Sequence, residues 1–114
     1  MDKNMILVIN PGSTSTKMAL FERDILVDKT SIKHDANDLL KYNKIIDQLP
    51  YRMKAINEAI KSYGLDLNRL RAVVGRGGLL KPIESGTYLV NEAIIHDLSM
   101  AKRGEHASNL GAII

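Results

Sequence analysis

Met5-Ile-Leu-Val-Ile-Asn-Pro-Gly-Ser-Thr-Ser-Thr-Lys-Met-Ala-Leu-Phe21 is the stretch that decides the fold. Met5 to Ile9 is an unbroken aliphatic and β-branched run, the pattern of a strand buried on both faces. Asn10-Pro11-Gly12-Ser13 is a cluster of turn formers. Lys17 to Phe21 then reads as a second strand, so the two form a hairpin around a polar loop. Glu22-Arg23-Asp24 allows a tight turn into a third strand over Ile25 to Ser31, and three antiparallel strands in a meander are the simplest arrangement.

Beyond the meander the period changes. Residues 36 to 63 read as helical, with Met53, Ile56, Ile60 and Tyr63 on one face. Pro50 suits the first turn of that helix, and Gly64 its C′ position. Lys54 and Glu58 are spaced to pair on its exposed side. Ala72-Val73-Val74 is a short buried-strand signal, and Thr87 to Val90 reads as another strand. Asn91 is suited to cap a helix running to about Arg103, with Ile94, Leu98 and Ala101 on one face and Gly104 ending it. A further helix begins near Ala107. Strands alternating with helices make this an α/β chain.

Composition narrows the function classes. The chain has 114 residues, 45% of them hydrophobic, with 16 Lys and Arg against 13 Asp and Glu. That is the size and balance of one small globular unit, and it excludes disordered, collagenous and disulfide-scaffold classes. No apolar run approaches a membrane span of about 20 residues. The Met1-Asp2-Lys3-Asn4 start leads into too short an apolar run for a signal peptide. The absence of cysteine rules out thiolate metal sites and thiol catalysis and agrees with a cytoplasmic location. A net charge of +3 with scattered basic residues is a poor nucleic-acid signal. The sequence stops on an apolar segment, Leu110 to Ile114, where a finished domain usually has a polar tail; that suggests a truncated unit.

Three loops carry residues able to do chemistry. In Asn10 to Lys17, Gly12 lets a ligand approach the backbone, Ser13, Thr14, Ser15 and Thr16 bring hydroxyls, and Lys17 brings a cation, the equipment of a phosphate cradle. It is not a Walker loop, because the second glycine before the lysine is missing and a strand follows. The same composition also suits a polar hairpin tip. Gly75-Arg76-Gly77-Gly78 follows a strand, where ligands of α/β proteins gather, and Arg76 offers a fork for a carboxylate or phosphate; a tight turn with an exposed arginine is the alternative. In Gly104 to Asn109, His106 can stabilise developing negative charge or move a proton, or simply cap a turn. His34 and His96 have no partners at metal-ligand spacing and read as structural or surface residues. Glu84 and Glu92 form no acid/base pair.

Taken in order, these loops resemble the butyrate kinases of the acetate kinase group. The similarity runs through Ile6 to Lys17, Ala72-Val-Val-Gly-Arg-Gly-Gly-Leu-Leu-Lys-Pro82, Gly86-Thr-Tyr-Leu-Val90 and Gly104-Glu-His-Ala-Ser-Asn-Leu-Gly111; residues 33 to 70 are the least diagnostic. The resemblance implies a ribonuclease-H-like N-terminal lobe of the acetate and sugar kinase, heat-shock chaperone and actin superfamily, with a mixed sheet that opens on an antiparallel hairpin. It implies phosphoryl transfer between ATP and butanoate or a branched short-chain acid, with Mg²⁺, in a cleft between two lobes, and at least a dimer. By position it makes Asn10 the residue near the transferred phosphate and the metal. Gly12, Ser13, Ser15 and Lys17 become phosphate contacts, Arg76 the carboxylate or acyl-phosphate arginine, and His106 the stabiliser of the transferring group.

Family members are much longer. Residues 1–114 therefore correspond to part of one lobe, without the second phosphate segment, the adenosine pocket or the C-terminal lobe, and the isolated chain is expected to be inactive. A non-catalytic phosphate-binding or interaction module derived from such a lobe is the alternative. Neither reading calls for a membrane or a nucleic acid.

Overall fold

The computed structural model describes residues 3–114; Met1 and Asp2 lie outside them. Strand β1 (Met5–Pro11) pairs antiparallel with β2 (Ser15–Glu22), which pairs antiparallel with β3 (Ile25–Lys33). The chain then makes a short helix α1 (Ala36–Leu39), a 3₁₀ turn (Ile45–Gln48) and the long helix α2 (Leu49–Ser62). It returns as β4 (Leu70–Gly75), parallel to β1 on its free side. Helix α3 (Glu92–Ser99) and a 3₁₀ turn (Ala107–Leu110) complete an α/β unit with sheet order β3-β2-β1-β4.

The hairpin register explains the core. Leu7 opposes Leu20 and Ile9 opposes Met18, so one face of the sheet presents Met5, Leu7, Ile9, Met18 and Leu20. Helix α2 covers that face with Ile56, backed by Ala59, Ile60 and Tyr63. Each such buried aliphatic side chain contributes about 1.5–3 kcal/mol. The opposite face, with Ile6, Val8, Ala19 and Phe21, is only half-covered, so β1 is fully buried on one face rather than both. β4 departs from expectation further. It is a strand, but Val73 and Val74 are 52% and 40% exposed, because β4 is the sheet edge and α2 lies over β1 and β2.

Local signals place most helix ends. Asp35 accepts from the Asn37 amide at 2.8 Å to start α1, and Asn91 accepts from the Ile94 amide at 2.8 Å to start α3. Gly64, at φ 66°, takes the left-handed conformation after α2. The expected single helical stretch over 36–63 is broken by residues 40–44, where the chain turns before the 3₁₀ segment that runs directly into α2. Helix α3 stops sooner than Arg103: Ala101 at φ 52° takes the left-handed position, and the Lys102 amide reaches back to the Asp97 carbonyl at 3.2 Å, the pattern of a Schellman stop. Thr87 to Val90 is irregular and exposed, with Leu89 93% exposed. Strand propensity without a partner strand does not make a strand. The helix expected near Ala107 is a single 3₁₀ turn, and Lys54 and Glu58 form no ion pair. At the chain's apolar end Leu110 is fully buried and Ile114 packs against the core cluster. Among the described residues no helix is long and apolar enough to cross a membrane.

Candidate functional site

The C-terminal end of β1 is where the three loops meet. Asn10 lies on the half-covered face of the sheet and pairs in register with Lys17 across the hairpin, so the two flank one edge of the 12–15 loop. β4 runs parallel to β1, and the Arg76 amide extends the ladder by donating to the Ile9 carbonyl at 3.0 Å. That places residues 76 and 77 beside the hairpin loop. The 107–110 turn closes the third side. A cleft of about 460 Å³ is lined by Asn10, Pro11, Gly12, Ser13, Ser15, Lys17, Arg76, Gly77, His106 and Ser108. Asn10, Gly12, Ser13, Ser15, Lys17, Arg76 and His106, all named from sequence, are in that lining, whereas Thr14 and Thr16 of the same loop are not.

Close backbone packing brings the second and third loops together. A Cβ on Gly75 would collide with the Gly111 carbonyl oxygen, and one on Gly111 with the Arg76 carbonyl oxygen. A Cβ on Gly78 would sit 2.7 Å from the Asn109 Cα. The glycines around Arg76 therefore serve the contact with the 107–111 turn more than the approach of a ligand. Gly77, with nothing within 4 Å of a Cβ, is the one open to the cleft. Asn109, almost fully buried, joins the segments: its Oδ1 accepts from the Leu79 amide at 2.9 Å and its Nδ2 donates to the Gly104 carbonyl at 2.9 Å. Glu105 accepts from the Ile45 amide at 3.0 Å and ties the turn to the segment before α2.

His106 is both a cap and a cleft residue. Its Nδ1 accepts from the Ser108 amide at 3.0 Å, with Ser108 Oγ at 2.7 Å. An amide only donates, so Nδ1 is the unprotonated nitrogen and the ring proton sits on Nε2. The capping role thus fixes the tautomer and leaves an N–H free for a ligand.

Beneath the hairpin loop lies a polar cluster that composition did not disclose. Thr16, one of the four hydroxyl residues of the loop, is fully buried and points away from the cleft. Its Oγ1 is hydrogen-bonded to His34 Nε2 at 2.8 Å and accepts from Arg52 Nη1 at 3.2 Å. His34, 7% exposed, stacks edge-on against Tyr51 at 5.4 Å. Burial, and secondarily the Arg52 charge, hold its pKa below 6.5. Arg52 is fully buried and spends all five N–H groups: Nε on Gln48 Oε1 at 3.0 Å, Nη1 on the Ser15 carbonyl at 3.0 Å and on Thr16, Nη2 on the Gly12 and Ser13 carbonyls at 2.8 and 3.3 Å. A signal for it existed in the sequence: residues 48, 52 and 56 share one helical face, and that face carries Ile56.

The cleft presents Lys17, Arg76 and the His106 Nε2–H, and no carboxylate lines it. Fixed donors and cations around an open, polar hollow suit an oxyanion of phosphate or carboxylate type. Among the described residues no group of three acidic, histidine or cysteine side chains is placed to hold a metal. Compared with models of known protein families, the chain matches none.

Proposed function

We propose that this cleft binds the transferable phosphoryl group of a butyrate kinase-like phosphotransferase, and that residues 1–114 belong to its ribonuclease-H-like N-terminal lobe. The reaction is reversible exchange of phosphoryl between ATP and butanoate or a branched short-chain acid. One observation carries the reading: Asn10, Gly12, Ser13, Ser15, Lys17, Arg76 and His106, from three segments far apart in sequence, line a single cleft. The sheet, an antiparallel hairpin followed by a parallel strand beside β1, is compatible with that lobe.

The chemistry asks for what these residues offer. A carboxylate is already a nucleophile, so no base is needed to make one. Its oxygen forms a bond to phosphorus as the bond from phosphorus to the ADP oxygen breaks, and no proton moves. The cost lies in bringing two anions together and in the charge on the equatorial oxygens. Arg76 offers a bidentate grip on the carboxylate or acyl phosphate, the His106 Nε2–H donates to an equatorial oxygen, and Lys17 adds positive charge. Mg²⁺ arriving with the nucleotide would be held mainly by phosphate and water oxygens, as this ion commonly is, with the Asn10 carboxamide as the protein oxygen this reading assigns to it.

The test is a titration of the labelled chain with butyryl phosphate, read at the backbone amides of residues 12–17, 76–77 and 106–108. Shifts confined to these three segments are expected, and unmoved amides would refute the reading. Assay for ATP-dependent butyryl phosphate formation then separates the two forms of the proposal: the isolated chain is expected to bind without turnover. Persistent absence of turnover when the segments of a complete enzyme are supplied would favour a phosphate-binding module without catalysis.

A further inference from the structure

Arg52 is a buried cation without a counter-ion. Its five N–H groups meet five neutral oxygens, and among the described residues no carboxylate is within ion-pairing distance of it. Buried charges are ordinarily paired, since hydrogen bonds alone leave the charge itself uncompensated. The orientation of the loop points to where the missing charge belongs. In a trans peptide the C=O of one residue and the N–H of the next point in opposite directions. The Gly12 and Ser13 carbonyls are turned onto the guanidinium, so the Ser13 and Thr14 amides leave from the other side of the loop. Neither amide has an acceptor within the described residues. Two successive free amides of this kind form an anion-binding nest, next to the cleft that Gly12 and Ser13 line.

We propose that Arg52 is the positioning residue of this loop: from behind, it turns two carbonyls inward, sets the Ser13 and Thr14 amides for an oxyanion, and has its charge balanced by the anion they hold. Arg52 never touches the ligand; it acts through the peptide dipoles between them. The inference rests on the reading of the cleft as a phosphate site, and it adds that phosphate affinity is governed from inside the core. It also accounts for Gln48, the Ser15 carbonyl and Thr16 as the remaining acceptors that hold the fork level, and for His34 as the hydrogen-bond partner that fixes Thr16.

The experiment is a titration of the full chain with inorganic phosphate, followed at the Ser13 and Thr14 amides, in wild type, R52K and R52M. Lysine and methionine are similar in length and both lose the fork, so a purely structural role weakens the two variants alike. Charge differs between them. R52K is expected to bind phosphate at least about tenfold tighter than R52M, with wild type tightest. Equal affinity in the two variants overturns the proposal while leaving the cleft reading intact. No response of these amides in wild type removes the cleft reading and the inference with it. If R52M does not fold, the wild-type chain decides. Phosphate is expected to slow hydrogen exchange of the Arg52 Nε–H without any direct contact, and unchanged exchange at saturating phosphate overturns the proposal.

Discussion

The Gly111 backbone occupies the space where a Gly75 side chain would begin, and the Arg76 carbonyl the space where a Gly111 side chain would begin. This contact holds the end of β4 against the 107–111 turn, and with it Arg76 against the wall that carries His106. Gly75→Ala or Gly111→Ala forces the two backbones apart. A loss of about 1–3 kcal/mol is expected, the usual cost of overpacking a rigid contact, measured by denaturant unfolding. The larger signature is functional, because the variants separate Arg76 from His106. Their phosphate affinity should fall even where the chain remains folded.

Arg76→Ala tests the opposite case. The Arg76 side chain is exposed and makes no ion pair among the described residues. Stability is expected to change by less than about 0.5 kcal/mol. Butyryl phosphate affinity should drop about tenfold or more, since a bidentate charged contact is lost. Thermal unfolding and the amide titration read the two effects separately, and unchanged affinity would take Arg76 out of the site.

The Thr16–His34 pair makes stability depend on pH. His34 has its pKa lowered from 6.5 by burial and by the Arg52 charge. As pH falls through 6.5, the unfolded chain takes up the proton before the folded one does. The contribution of His34 is therefore intact above 6.5 and is lost progressively as pH falls toward the lowered folded-state value. Tyr51, whose own pKa is raised mainly by burial, stays neutral across this range, so Arg52 is the only nearby charge on α2 that opposes the imidazolium. His34→Gln removes the proton from the exchange. Stability curves of wild type and variant should converge in slope above neutral pH and diverge as pH falls below about 6.5.

Asn109 is the polar link with the most to lose. Asn109→Ala strands the Leu79 amide and the Gly104 carbonyl at a position 1% exposed. A loss of about 1–3 kcal/mol is expected from the unpaired groups. Asn109→Asp keeps the acceptor for Leu79 but places a carboxylate against the Gly104 carbonyl, and should not restore stability. Urea unfolding of both variants checks this, with recovery by the aspartate as the contrary result.

Much of this was legible from local chemistry. The aliphatic run of β1, the polar loop and β2 announce a hairpin because strand pairing across a short loop needs no distant partner. Gly64 and Asn91 act within a turn of their own position, so their roles as caps can be read directly. Thr87 to Val90 and the end of α3 misled for the converse reason. A strand exists only if another strand is free to pair with it, and Ala101 adopts a left-handed conformation that residue type alone would assign to Gly104.

Arg52, Thr16 and Asn109 lay beyond that reach. A charged residue on a helix reads as solvated, and nothing local says that four loop residues forty positions earlier will turn their oxygens toward it. By itself the sequence determined an opening hairpin, a helix with one apolar face, and three loops whose residue types suit an oxyanion. Only the tertiary structure decided that those loops share one cleft, because parallel pairing of β4 with β1 and the Gly75–Gly111 contact act between residues far apart in the chain. It also decided which hydroxyl of the 13–16 run faces inward: strand register sends alternate side chains to opposite faces, and at Thr16 the inward face is the one Arg52 occupies.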